Sequence, residues 1–100
     1  MEHTDNDFFN DVAKLADKIK CLADDAFPVY KTFTDDVISD CITDIAIIEQ
    51  NLDYMLSYCF DDRILSLYKK ILRKFYKQYP DLVKFYVDAY YYMYEEHNGG

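Results

Sequence analysis

The chain has 100 residues, 51% of them hydrophobic and 18% aromatic, with a formal net charge of -8. That length and apolar content suit one domain with one core and exclude a disordered chain. The only glycines are the last two residues and the only prolines are Pro28 and Pro80, so the turn punctuation of an all-β domain is missing and an all-α fold is expected.

The first helix is expected over residues 7–25, with Thr4, Asp5 and Asn6 as cap candidates and Asp7 and Asp11 near the positive end of its dipole. Phe8, Val12, Leu15, Ile19, Leu22 and Ala26 step by four and three residues in turn. Phe9, Ala16 and Ala23 widen this stripe to the width of a globular core face. Pro28 argues against a continuing helix, and residues 28–33 are expected to form at most a short helical turn. A central helix then spans residues 35–60, capped by Thr34 or Asp35. It carries Val37, Ile38, Cys41, Ile42, Ile45, Ile48, Leu52, Met55, Leu56 and Cys59 on one arc, around which the rest of the chain packs.

Asp61 and Asp62 close this helix and cap a third one over residues 62–79. Its apolar face is Ile64, Leu65, Tyr68, Ile71, Leu72, Phe75 and Tyr79, and its outer arc is basic, with Lys69, Lys70, Arg73, Lys74 and Lys77. Pro80 separates a fourth helix over residues 81–96, whose apolar and aromatic arc is too wide for an exposed helix and requires burial on more than one side or in a partner. Short connections make sequential helices antiparallel neighbours, giving a compact bundle of four helices in one domain spanning residues 1–100. Residues 1–5 and 97–100 are expected to be mobile.

No run approaches the roughly 20 apolar residues of a membrane span, and the first residues are not signal-like, so a soluble, cytoplasmic protein is expected. The odd cysteine count agrees with a reducing compartment. Cys41 and Cys59, about 27 Å apart on one helix at about 1.5 Å per residue, cannot bridge. Enzymatic chemistry finds no foothold. The only histidines, His3 and His97, sit at the two ends of the chain, too remote to activate a nucleophile. Metal-ligand spacings and glycine-rich phosphate loops are absent, so neither a metal nor a cofactor is expected.

Charge is unevenly distributed. Through residue 62, fifteen carboxylates face four lysines, for a balance of -11, whereas seven bases and four acids from Arg63 onward give +3. On the central helix Asp36, Asp40 and Asp44 fall at successive i, i+4 positions, about 6 Å apart, and the strip continues through Ile47, Asn51, Tyr54 and Tyr58. An acidic row leading into aromatic anchors has the composition of a surface for a basic protein, such as a nuclease or another nucleic-acid-binding protein whose site it blocks. The net charge opposes direct nucleic-acid binding. The alternative expectation is a self-associating helical module that dimerises through its aromatic fourth helix.

Overall fold

The computed structural model describes residues 4–95, with side chains from Phe8 onward. It contains four α-helices: α1 (Thr4–Ile38), α2 (Ile45–Leu56), α3 (Asp62–Phe75) and α4 (Pro80–Tyr90), the last continuing into a π-helical turn at Tyr91–Glu95. No strand occurs among the described residues. The all-α bundle is as expected, and the fourth helix lies close to its expected limits; the third ends at Phe75 instead of 79, and Tyr79, expected on its apolar face, immediately precedes α4. The first half of the chain is divided differently.

α1 starts at Thr4, where the chain was expected to be mobile, and continues through Pro28. A proline inside a helix deletes one backbone hydrogen bond and costs about 3 kcal/mol. Burial on both sides of it outweighs that cost. Ala23 and Val37 are buried, Phe27, Tyr30 and Phe33 are half-buried, and all share one face of the same helix. At roughly 1.5–3 kcal/mol per large side chain buried, keeping this face continuous is the more favourable choice. The expected turn at 28–33 is therefore helix interior. So are Thr34 and Asp35, which were expected to cap a new helix. Thr34 is fully buried, and its hydroxyl has no hydrogen-bond partner.

The expected helix over 35–60 is broken at residues 39–44. Asp40 has φ 65°, the left-handed conformation. The Cys41 amide donates to the Asp36 carbonyl at 2.8 Å and the Asp40 amide to the Val37 carbonyl at 3.1 Å, the paired bonds of a Schellman stop. Glycine usually fills this position, and aspartate is among the few other residues that tolerate it. Lys74 on α3 reinforces the stop. Its Nζ contacts the Ile38 carbonyl at 3.4 Å and the Asp40 carboxylate at 2.9 Å, placing a cation at the negative end of the α1 dipole. Asp44 then caps α2, accepting from the Ala46 amide at 2.9 Å.

The centre of the bundle is α3 rather than the 37–59 stretch, because α1, α2 and α4 all pack on it. Its charges lie on one arc and Ile64, Leu67, Tyr68, Ile71, Leu72 and Phe75 are buried on the other. Asp61 caps it, accepting from the Arg63 and Ile64 amides at 2.9 and 3.3 Å. α2 contributes Ile48, Leu52 and Met55 to this core, and Val83 and Tyr86 come from α4. The wide arc of α4 is only partly covered: Val83 and Tyr86 are buried, Leu82, Tyr90 and Tyr94 are half-buried, and Phe85, Tyr91, Tyr92 and Met93 are exposed. The Tyr86 ring meets Tyr68 edge-on at 6.4 Å, and its hydroxyl donates to Asp53 Oδ1 on α2 at 2.8 Å. The Tyr68 hydroxyl donates to the Tyr86 carbonyl at 2.7 Å, and that of Tyr94 to the Leu56 carbonyl at 2.6 Å.

The molecule measures 59 × 32 × 19 Å, and its radius of gyration of 16.9 Å exceeds the roughly 13 Å of a compact chain of this length. The excess is the N-terminal half of α1, which extends beyond the bundle.

Two substitutions discriminate this chain path from one with a helix over 35–60. Thr34→Val removes an unpaired buried hydroxyl and should raise stability by about 1 kcal/mol. Asp40→Gly relieves the left-handed residue and should be neutral or stabilising by up to about 1 kcal/mol. In a helix capped at Thr34 both changes would destabilise by about that amount, so urea melts of the two variants read the path directly.

Candidate protein-docking surface

The structure separates the residues of the expected acidic row. Asp36 lies in the last turn of α1, Asp40 in the stop and Asp44 at the α2 cap, so they do not form one helical strip. Two of the three also have local partners: Asp40 pairs with Lys74, and Asp44 holds its own helix. The other half of the row is brought together. Ile47, Asn51 and Tyr54 share the outward face of α2, where the Asn51 amide donates to the Ile47 carbonyl at 2.9 Å and Gln50 donates to the Tyr54 hydroxyl at 3.2 Å. Ile47 and Tyr54 are exposed. Tyr58 follows in the turn after α2 and is half-buried, its ring 5.9 Å from Tyr30 of α1.

The largest apolar feature without a partner lies on α1. Phe8, Phe9, Val12, Leu15, Ile19 and Leu22 are all exposed, although their spacing marks them as a face to be buried. From Phe8 to Leu22 no residue is buried; the packed face begins at Ala23. The opposite side carries Asn10, Lys14, Asp17 and Lys20, so the stripe has defined polar edges. An isolated helix of this length is marginal in water. A projecting, amphipathic one has the form of a docking element.

An ionic clamp fixes where α1 leaves the bundle. The Arg63 guanidinium lies 2.7 Å from Asp24 of α1 and 2.9 Å from Asp61, the α3 cap, and sits 5.0 Å above the Phe27 ring. Hydrogen bonds from Arg63 hold both carboxyls below the usual carboxylate range. The projecting half therefore starts from a defined point rather than a loose joint.

The rest of the surface offers less. Lys69, Lys70 and Arg73 on α3 and Lys77 in the turn after it are exposed and make no ion pair among the described residues, whereas Lys74 and Arg63 bridge to the acidic half of the chain. Phe85 on α4 and Tyr92 in the π-helical turn are also exposed, with the Lys84–Asp88 ion pair on α4 beside Phe85. A groove of about 280 Å³ between α3 and α4, lined by Leu65, Lys69, Leu72, Val87 and Tyr90, is smaller than most small-molecule sites. Among the described residues no group of His, Cys, Asp or Glu is placed to hold a metal ion, and no helix is long and apolar enough to cross a membrane. His3 and His97 lie outside the described residues.

No protein-family model matches the chain, and neither a curated protein nor a solved structure is significantly similar to it. The functional reading rests on the residues themselves.

The thiols report on this arrangement. Cys21 and Cys41 are exposed, the second because the chain turns out of α1 where a core helix position was expected. Cys59 is buried, donates to the Met55 carbonyl at 3.4 Å, and is pushed up by burial to about 12. A thiol reagent in mildly alkaline buffer should label Cys21 and Cys41 quickly and Cys59 only after denaturation. Slow labelling of Cys41 would mean that it sits in a core.

Proposed function

We propose that this chain is a non-catalytic protein-interaction module, a small helical body that presents the projecting half of α1 to another protein. The observation that carries this reading is the run of six large apolar side chains, Phe8 to Leu22, left in water on a helix with defined polar edges. Soluble proteins rarely leave an elongated apolar stripe uncovered without an interaction to cover it. A helix laid along its partner through i, i+3, i+4 and i+7 anchors is a recurrent recognition mode. Three cysteines without a disulfide fit a reducing, cytoplasmic setting.

A second reading draws on the net charge of -8 and on the exposed Tyr54 beside Ile47 and Asn51: an acidic inhibitor that blocks the basic surface of a nuclease or similar protein. It ranks lower because Asp36, Asp40 and Asp44 fall on three segments, the last turn of α1, the stop and the α2 cap, rather than along one helical strip.

The two readings separate in one experiment. The full chain, tagged and expressed in its native host, is compared with Leu15→Glu/Leu22→Glu and with Tyr54→Ala for the proteins retained on purification. The docking-helix reading expects the α1 double variant to lose its partner about tenfold or more, the equivalent of about 1.4 kcal/mol or above, with Tyr54→Ala unaffected. The opposite pattern would overturn it in favour of the acidic blocker.

A further inference from the structure

The stripe on α1 has a finer regularity than amphipathicity alone requires. Phe8, Leu15, Leu22 and Val29 recur every seven residues and are 62%, 58%, 55% and 65% exposed, so this row stays open to solvent even where α1 lies on the bundle. Val12 and Ile19 interleave at the alternate position of the same heptad, 48% and 39% exposed. Two-stranded parallel coiled coils prefer β-branched residues at the first core position and leucine at the second, as in Val12, Leu15, Ile19 and Leu22. The outer heptad positions between Asn10 and Asp24 hold Asn10, Ala13, Lys14, Asp17, Lys20, Cys21 and Asp24, none of them a large apolar residue apart from the exposed thiol. Pro28 falls on the outer side too, away from the seam.

We propose that the occupant of this stripe is a second copy of the chain, its α1 packed parallel along the first from Phe8 to Leu22. The proposal rests on the reading of α1 as a docking element and names its partner. Three observations favour a like partner.

The first is size. The exposed fractions of the six large side chains from Phe8 to Leu22 amount to roughly 700 Å² per copy, close to the roughly 800 Å² that each partner buries in a standard interface. The open seam from Phe8 to Leu22 spans two heptads, about 21 Å at about 1.5 Å per residue, and ends where Ala26, the next core position, is half-buried on the bundle.

The second is charge. Flanking the seam on one side are Asp11, Lys18 and Asp25, and on the other Phe9, Ala16 and Ala23. A parallel pair sets each charged flank against an uncharged one, so no like charges meet. An antiparallel pair sets the two charged flanks against each other: in the register centred on residue 18 Asp11 meets Asp25 and Lys18 meets its own copy, and only the register shifted toward the N-terminus pairs Asp11 with Lys18.

The third is room. The face of α1 on the bundle, Ala23, Phe27, Tyr30, Thr34 and Val37, is turned about a quarter-turn from the exposed row, so two copies keep their bundles on opposite flanks of the seam.

Sedimentation of the purified full chain from low to high micromolar concentration tests the proposal. The expected result is a shift from 11.9 kDa toward twice that mass. Leu15→Glu/Leu22→Glu should stay monomeric with an unchanged far-ultraviolet dichroism spectrum at low concentration, because both side chains are exposed in the single copy. In a Cys21→Ser/Cys41→Ser background, Phe8→Cys, Leu15→Cys and Leu22→Cys should each form a disulfide-linked pair on oxidation, since a parallel seam sets every core residue opposite itself. A parent that remains monomeric throughout overturns the proposal. If the double variant still loses a protein in the host purification, the docking helix stands with a different partner. Crosslinking at one of the three positions alone overturns the parallel arrangement, and a dimer that survives Leu15→Glu/Leu22→Glu places the interface elsewhere.

Discussion

The mismatch in length between α1 and the helix that holds it shapes the rest of this molecule. α3 has 14 residues and α1 has 35, about 21 Å against about 52 Å. A single apolar arc on α3 serves all three other helices, and it covers α1 only from Ala23 to Val37. The remainder of α1 carries the same kind of stripe, and among the described residues only Phe60 and Asp61 approach it, beside Ala16 and Ile19. Projection is therefore a consequence of how little core a chain of 100 residues has, given that its longest helix is a third of it.

Much of the negative charge serves the chain's own framework. Asp61 and Asp44 cap α3 and α2, Asp40 closes α1 in a left-handed conformation with Lys74 beside it, Asp53 receives the buried end of Tyr86, and Asp24 joins the Arg63 clamp. Exposed ion pairs of this kind contribute little energy each, but caps and stops decide where helices begin and end. The basic residues at the two ends of α3, Arg63 and Lys74, reach across to acidic residues of the first half, so the charge asymmetry of the sequence is partly a description of internal docking.

The last two helices were legible in the sequence because their signals are local: Asp61 as a cap, Pro80 at a first helical position, and an amphipathic period between them. Within α2 the phase of the core was legible too, with Ile48, Leu52 and Met55 buried, whereas Ile38 and Cys41 of the same expected arc are exposed where the chain turns out of α1. The break at Asp40 was not. No glycine marks it, and Asp36, Asp40 and Asp44 read as a continuous row only if the helix does not stop between them. Pro28 misled in the opposite direction, because a local penalty was outweighed by burial on α3 that a linear reading does not reveal. The α1 stripe was visible but assigned to the core. Its alternating steps of four and three, with β-branched residues and leucine in alternation, suit a globular face as well as the proposed seam, so the sequence by itself does not separate the two.

The central claim is that α1 is one continuous helix, anchored along its C-terminal half and held along its N-terminal half only by association. Residue-resolved amide hydrogen exchange across a range of protein concentrations tests it most directly. Amides from Phe27 to Val37, leaving out Pro28, should exchange slowly at every concentration, while those from Val12 to Leu22 should exchange orders of magnitude faster when dilute and gain protection as concentration rises. Equal protection along the whole of α1, independent of concentration, would contradict it.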